Sequence, residues 1–170
     1  MAAADVRSVY EADGVSVIGD VKSPQAAATL LAWHQAIKIG MGGDDTRLLE
    51  ILDKILIDEP VFLAPTYHKE RRDKQFIKFA LLGVCKAFKR FKYTRAFLGD
   101  EGFALEFECN LGSENGPMMR GIDLVTLNSE GKVSRFEVMA RPPKAVLHLL
   151  ELQTAFMTEM GMVKPAKAKL

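Results

Sequence analysis

Hydrophobic residues recur at helical spacing in the first half of the chain and alternate with polar residues in the second half. Ser23 and Pro24 form a typical helix start, and the first helix is predicted to run to about Lys38. After a glycine-rich break, Asp44 or Asp45 can cap a second, shorter helix. The main amphipathic helix is predicted further on, from apolar residues that share one side of the helical wheel: Phe76, Phe79, Ala80, Val84, Phe88 and Phe91.

From about residue 92 onward the period of the pattern changes to two, which is typical of β-strands. Turns rich in Gly, Asn and Asp separate these strands, so we expect an antiparallel meander. A further strand is predicted before the main helix, and a last helix follows the Pro142-Pro143 pair. Helices first and a sheet afterwards predict an α+β fold. The predicted strands are 60–64, 93–98, 103–110, 118–127 and 132–140, and the last helix is 145–160.

The two ends of the chain lack a clear period. Residues 1–22 are interpreted as an N-terminal arm that can add an edge strand, and residues 163–170 as a flexible basic tail. The predicted domain is therefore 23–162. A chain of 170 residues with 48% hydrophobic content is long enough for one core and too short for two.

Composition narrows the classes of partner. The 23 basic and 22 acidic residues give a net charge of +1, so we expect neither nucleic-acid nor membrane binding. There is no signal-peptide pattern and no apolar run of about 20 residues. The two cysteines do not suggest a disulfide scaffold, which fits a reducing, cytoplasmic location. Three scattered histidines give no ligand spacing, so we expect no metal and no cofactor.

Asp123 is the residue that most needs an explanation. It lies in the middle of the predicted strand 118–127, and alternation places it on one face with Met119, Gly121, Val125 and Leu127. These neighbours cannot solvate a charge, so the carboxyl is paired, protonated or part of a site. Desolvation can raise a carboxyl pKa by roughly 3–5 units, enough to leave it neutral and able to donate a hydrogen bond.

Three local patterns and the order of elements resemble the nuclear transport factor 2-like superfamily, which includes SnoaL-like polyketide cyclases and ketosteroid isomerases. Residues 31–36 and the acidic-capped helix after them resemble the opening helix pair, and residues 61–65 resemble the first strand. Residues 121–133, with Asp123 and the turn 128–131, are similar to the superfamily's strand, turn and strand. This third pattern is the most specific, and the resemblance spans roughly residues 24–155.

The resemblance implies a cone-shaped α+β barrel, also called cystatin-like. A strongly curved, mainly antiparallel sheet would wrap around three to four helices and leave a deep apolar pocket at its open end. The resemblance also implies a homodimer through the outer face of the sheet.

The carry-over of functional residues is partial. In ketosteroid isomerases an aspartate at the position of Asp123 stays protonated and helps to bind the oxyanion. The tyrosine that shares this role falls at Trp33, whose indole N–H can donate a hydrogen bond. The general base falls at Ala64, which cannot take a proton. The resemblance therefore keeps the acid and loses the base.

Other groups are weaker candidates for a base. The cyclases place a carboxylate on the last strand, where Glu137 qualifies only if a bulge turns it inward. Tyr67 and His68 lie in the polar loop after the first strand, where functional groups are common. His34 follows Trp33 directly and points about 100° away on a helix, and His148 is interpreted as a packed or surface residue.

Three functions remain open. The leading hypothesis is a SnoaL-like protein that binds a small apolar, aromatic or steroid-like molecule. The alternatives are an isomerase- or cyclase-type enzyme, with Asp123 as the acid and Tyr67, His68 or Glu137 as the base, and a protein-interaction domain that uses the outer sheet face. The predicted ligand-binding residues are Asp123, Trp33, Phe62, Ala64, Tyr67, Met119, Val125, Phe136 and Val138.

Overall fold

A mixed six-stranded sheet and five helices make up residues 5–164, which are the residues described by this computed structural model. The predicted α+β class is confirmed. Of the predicted basic tail, residues 165–170 lie outside the described part of the chain. In chain order the elements are α1 (Val6–Ala12), β1 (Ser16–Gly19), α2 (Pro24–Met41), α3 (Asp45–Ile55), β2 (Leu56–Leu63), α4 (Lys74–Ala87), β3 (Phe88–Gly99), β4 (Gly102–Leu111), β5 (Met118–Leu127), β6 (Val133–Arg141) and α5 (Pro143–Glu159).

The strands follow the order β1-β3-β4-β5-β6-β2 across the sheet. The four central strands form the predicted antiparallel meander, while β1 pairs with β3 and β2 pairs with β6 in parallel. Because β1 and β2 are both edge strands, the sheet is open and the barrel is not closed. Register shifts in the β2–β6, β3–β4 and β5–β6 pairs are irregularities of the kind that bend a sheet.

Helix caps follow the sequence signals. The Ser23 hydroxyl accepts a hydrogen bond from the Ala26 amide, and Pro24 begins α2. Asp44 accepts from the Arg47 amide at the start of α3. No helix among residues 5–164 is long and apolar enough to cross a membrane.

Residues 5–22 form two elements of the fold. They contain the expected edge strand, β1, but also α1, which sequence periodicity did not reveal. Val6, Tyr10 and Val15 are buried, and Tyr10 is completely enclosed. This segment therefore contributes side chains to the same core as the rest of the domain.

The main helix was predicted too long. It ends at Ala87, and β3 begins at Phe88. Arg90 has a positive φ of 51°, and the β3–β4 register shifts between Lys89 and Lys92, so one extra residue interrupts the strand alternation there. The bulge leaves Phe88 and Phe91 three residues apart on the inner face, a spacing that imitates a helix.

Candidate functional site

A cavity lies between the inner face of the sheet and helices α2, α4 and α5. Its walls are mainly aromatic and aliphatic, and the few polar side chains come from Thr66, Tyr67, Tyr93, Asp123 and Gln153. Its volume is about 60 Å³. The apolar residues that line it are Ile37, Met41, Phe62, Ala64, Pro65, Ala80, Leu81, Val84, Phe88, Phe91, Phe107, Met119, Phe136, Val138 and Leu149.

Asp123 lies in this wall at the middle of β5. Only 7% of the residue is exposed, and Met119 and Val125 on the same strand face are buried beside it, as alternation predicts. Burial raises the pKa of the Asp123 carboxyl to about 7, although the hydrogen bond from Tyr93 acts in the opposite direction. Desolvation therefore outweighs the hydrogen bond, and near neutral pH the neutral form is substantially populated.

A chain of hydrogen bonds holds the Asp123 carboxyl from behind. The Trp33 indole N–H donates to the Tyr93 hydroxyl over 3.3 Å, and this hydroxyl donates to Asp123 Oδ2 over 3.3 Å. Burial and the nearby Asp123 carboxyl raise the pKa of Tyr93 well above its usual value, so its hydroxyl keeps its proton. The carboxyl is thus fixed through Oδ2, which leaves its other oxygen for a molecule in the cavity.

Similar proteins place this geometry in context. No protein-family model matches the sequence, and no curated protein matches it either. A steroid delta-isomerase from Pseudomonas aeruginosa superposes with a TM-score of 0.72 and 26% identity, over 83% of this chain and 97% of that chain. A protein with a cystatin-like fold from Silicibacter pomeroyi gives 0.66 and 29%, over 78% and 90%. A nuclear transport factor 2-like protein of unknown function from Mesorhizobium loti gives 0.58 and 12%, over 75% and 100%.

The fold is that of the nuclear transport factor 2-like superfamily. The cavity lies between the helices and the curved sheet. The first two proteins are 26% and 29% identical to this chain, and the third, at 12%, shares the fold alone. Fold similarity does not transfer a reaction, so the function must be argued from the side chains.

Trp33 does not hold the position in the cavity that the superfamily pattern implies. It is completely buried and is absent from the lining, because its ring packs edge-on against Phe103 and Phe136 behind the wall. Its N–H reaches Tyr93 rather than a ligand. Tyr93 is the tyrosine that contacts Asp123, and sequence reasoning missed it. Its sign in the sequence was a lone hydroxyl-bearing aromatic residue on β3, which β4 separates from the strand of Asp123.

Most of the other predicted wall residues do lie at the cavity. Phe62, Ala64 and Tyr67 come from β2 and the loop after it, Met119 from β5, and Phe136 and Val138 from β6. Val125 is buried on the same face but is absent from the lining, since it pairs with Phe103 and Phe136 deeper in the core.

Two polar candidates lie elsewhere. The Glu137 carboxylate is bonded to the Arg135 guanidinium over 2.9 Å, and its strand neighbours Phe136 and Val138 are the ones that line the cavity. The bulge that Glu137 would need does not occur there, because the β5–β6 register is regular from Arg135 to Arg141. His68 is exposed in the loop and is absent from the lining.

The remaining histidines are explained by local pairs. His34 Nε2 lies 2.9 Å from Asp13 Oδ2, and His148 Nδ1 lies 3.3 Å from Glu151 Oε2. Neither lines the cavity. Burial lowers the pKa of His34, which keeps its ring neutral at pH 7. Among residues 5–164 no group of three or more His, Cys, Asp and Glu side chains converges as a metal site would require.

The cavity thus contains a hydrogen-bond donor without a separate base. Its titratable side chains are Asp123, Tyr93 and Tyr67. Burial raises the pKa of Tyr67 as well, so neither tyrosine is a proton acceptor near neutral pH. Ala64, where the superfamily resemblance implies a base, lies in the wall and supplies only a methyl group. This arrangement can orient a carbonyl group through Asp123, but it lacks a second group for proton transfer.

Proposed function

We propose that this protein binds a small apolar carbonyl compound in the cavity, with the neutral Asp123 carboxyl donating a hydrogen bond to the carbonyl oxygen. The observation that carries this proposal is a buried carboxyl that Tyr93 fixes on one side within an otherwise apolar wall. Binding sites for small molecules commonly combine broad apolar walls with one or two such orienting groups.

The energetics favour a carbonyl ligand over a hydrocarbon. A buried donor without a partner costs about 1–3 kcal/mol, and a carbonyl oxygen removes that cost by accepting the hydrogen bond. A carboxylate ligand is disfavoured, because its charge would meet the Asp123 carboxyl in a poorly solvated wall.

The size of the cavity limits what can enter without movement. Its volume of about 60 Å³ is less than half of the roughly 150 Å³ apolar cavity that accommodates benzene. A ring-sized ligand therefore requires the wall to move. The loop between β2 and α4 is the element able to do so, because Pro65, Thr66 and Tyr67 line the cavity and no strand pairs with them.

Thermal stabilisation by cyclic and aromatic ketones tests the proposal. Cyclohexanone, acetophenone and a 3-keto steroid are each compared with the hydrocarbon analogue. We expect at least one ketone to raise the Tm more than its analogue does. Asp123→Ala should abolish this difference. Glu137→Ala is the matched control, since it removes a carboxylate from the same sheet outside the cavity. No stabilisation by any ketone, or equal stabilisation of the Asp123→Ala variant, would contradict the proposal.

An isomerase activity is the second candidate, and the 26% identity with a protein described as a steroid delta-isomerase favours it. Because Ala64 cannot act as a base, we expect the wild-type protein to isomerise a β,γ-unsaturated ketone slowly. A correctly placed general base contributes about 10²–10⁴-fold, so Ala64→Asp should raise the rate within that range. His68→Asp, on the same loop but exposed and outside the lining, is the control. An unchanged isomerisation rate in a folded Ala64→Asp variant would count against an isomerase activity.

A further inference from the structure

A second hollow lies next to the cavity, between α2, β3 and the residues that follow α1. We call it the α2–β3 groove, and its volume is about 280 Å³. Its inner wall is formed by Ile37, Met41, Phe91 and Tyr93, and all four of these residues also line the cavity. The groove and the cavity therefore share one wall, which is a single layer of side chains.

The shared wall is most easily opened at Met41. Ile37 and Tyr93 are buried, and the Phe91 ring packs against the Phe107 ring with centroids 5.6 Å apart. Met41 is the last residue of α2 and is partly exposed. A methionine side chain is flexible and can turn aside without a change in the backbone. A ligand in the cavity can therefore extend past Met41 into the groove, in addition to any movement of the β2–α4 loop.

The outer side of the α2–β3 groove is charged, with positive charge in excess. Two lysines and one aspartate line it, namely Lys38, Lys92 and Asp13. His34 also lines it, but burial lowers the pKa of the ring and keeps it neutral at pH 7. The lining therefore carries a net charge of +1, and the Lys38 and Lys92 side chains are 67% and 63% exposed.

Both lysines can turn to a bound anion without leaving an acid unpaired. Lys38 Nζ lies 3.1 Å from Asp13 Oδ2, and the same oxygen lies 2.9 Å from His34 Nε2. Lys92 Nζ lies 2.9 Å from Glu108 Oε1, and a guanidinium from β5 lies 3.5 Å from the other oxygen of Glu108. An ammonium group has three hydrogens to donate, so each lysine can also bind an anion while it keeps its present partner.

The cavity and the α2–β3 groove favour opposite chemical groups. In the cavity, the neutral Asp123 carboxyl suits a carbonyl oxygen, and the apolar wall around it disfavours an anion. In the groove, two exposed ammonium groups attract an anion that solvent still reaches. A molecule with a ketone at one end and a carboxylate at the other therefore has one favoured orientation.

We propose that the α2–β3 groove is the second half of the ligand site and takes the carboxylate of a keto acid. The ketone then lies at Asp123, an apolar chain passes Met41, and the carboxylate pairs with Lys38 and Lys92. This assignment rests on the proposed function, because it takes the cavity as the site of the carbonyl group.

Keto acids of increasing length, each paired with its methyl ester, test the assignment. The 5-oxohexanoic, 7-oxooctanoic and 9-oxodecanoic acids hold the carboxylate progressively further from the ketone. Calorimetric titration at pH 6 keeps Asp123 mainly protonated, since burial raises its pKa to about 7, and keeps an alkyl carboxylate ionised. We expect the acid of at least one pair to bind about fivefold more tightly than its ester at low salt. In 1 M NaCl this preference should shrink, because the Debye length falls to about 3 Å.

Two charge-matched double variants locate the carboxylate. Lys38→Gln/Lys92→Gln should bind the esters normally and lose the preference for the acids, and its binding of the esters establishes that it is folded. Lys89→Gln/Lys132→Gln removes the same charge outside the groove lining and should keep the preference. Asp123→Ala should weaken the acid and the ester of a pair equally and leave their ratio unchanged.

The outcomes separate this assignment from the proposed function. If the esters bind through Asp123 but no acid binds more tightly than its ester, the assignment is overturned and the proposed function stands. The same conclusion follows if Lys38→Gln/Lys92→Gln retains the preference. If Asp123→Ala binds the acids and esters as wild type does, or if none of these ligands binds to wild type, the proposed function fails and the assignment fails with it.

Discussion

Asp123, Tyr93 and Trp33 form a hydrogen-bonded series in which each residue has a distinct part. Trp33 is buried behind the wall and holds the Tyr93 hydroxyl, and Tyr93 holds one carboxyl oxygen of Asp123. Both bonds are 3.3 Å long, slightly longer than usual. The one long bond from Tyr93 does not offset the burial of the carboxyl, which is why its pKa is raised rather than lowered.

The raised pKa gives stability a defined pH dependence. The carboxyl releases its proton near 3.8 when exposed and near 7 when folded. Between these values the folded state holds the extra proton, so the contribution of Asp123 to the free energy of unfolding is greatest below about pH 4 and decreases as pH rises to about 7. This shift in the pKa of Asp123 corresponds to a loss on the order of 4 kcal/mol in the free energy of unfolding as pH rises through this range.

The variant Asp123→Asn should remove this dependence. An amide has nearly the same shape and stays neutral, so we expect the variant to be more stable than wild type at about pH 8 and to lose this decrease between pH 4 and 7. Urea unfolding between about pH 4 and pH 8 measures both the stability difference and the pH dependence. Asp58→Asn, at a fully exposed side chain, should keep the wild-type slope. If the free energy of unfolding of Asp123→Asn varied with pH as in wild type, Asp123 would not be the group with the raised pKa.

Tyr93→Phe should raise the pKa of Asp123 further. The hydrogen bond from Tyr93 lowers this pKa, so removing it leaves burial unopposed. Losing a hydrogen bond of this kind should also destabilise the protein by about 0.5–1.5 kcal/mol. NMR titration of the Asp123 side-chain carbon in both proteins measures the shift. A lower pKa in Tyr93→Phe would show that Tyr93 does not hold the carboxyl as described.

Sequence alone identified Asp123, because one acid in an alternating apolar strand is conspicuous. It placed Trp33 in the wall wrongly, since a superfamily position does not reveal whether a ring faces the cavity or packs behind it. It missed Tyr93 because bulges near Arg90 and between Tyr93 and Arg95 shift the alternation of β3 twice. A period that changes phase within one strand cannot be followed from residue types.

At the scale of elements, the loop between β2 and α4 is fastened mainly by one residue. The Arg71 backbone exchanges two hydrogen bonds with Phe62, of 2.8 and 2.9 Å. Its guanidinium lies 4.7 Å from the Phe76 ring centroid and 5.7 Å from that of Tyr67. Arg71 thereby ties the cavity-lining part of the loop to the start of α4.

Arg71→Ala should make the cavity more accessible. It removes both cation–π contacts, worth about 0.5–2 kcal/mol, but keeps the backbone bonds to Phe62. We expect faster association and dissociation of ketone ligands and faster amide exchange in residues 66–70. Arg72→Ala is the control, since Arg72 pairs with the neighbouring Glu70. Equal rates of ligand association and dissociation in Arg71→Ala and Arg72→Ala would show that Arg71 does not control access to the cavity.

At the scale of the whole molecule, the outer sheet face carries Ile122 in a shallow depression beside Met139, which is 52% exposed. Ion pairs such as Arg95 with Glu106 and Lys92 with Glu108 lie on the same sheet. We propose that this face forms a homodimer, as the superfamily resemblance implies. An apolar centre with a charged rim is typical of such contacts.

Met139→Lys should shift the protein from dimer to monomer. The new charge would lie in the depression that Arg120 and Arg141 also line, so both electrostatic repulsion and desolvation oppose association. Light scattering coupled to gel filtration gives the mass of each form. Leu147→Lys is the control, because Leu147 is 62% exposed on α5, away from this face. A monomeric wild-type protein would contradict the proposed dimer.

Whole-molecule organisation was largely predictable from the order of elements, since caps such as Ser23 and Asp44 and the period-two pattern after residue 92 mark the domain. The buried α1 was not, because its seven residues are too short to display a helical period. The small size of the cavity was not predictable either, as it depends on how Phe88, Phe91 and Phe107 pack together.

Infrared titration of the Asp123 carboxyl tests the central claim most directly. The difference spectrum between wild type and Asp123→Asn isolates the stretch of the protonated carboxyl, which disappears as the group ionises. We predict that this band persists through mildly acidic pH and titrates near 7. A carboxyl that titrates near 4, as in an exposed aspartate, would contradict a neutral hydrogen-bond donor in the cavity.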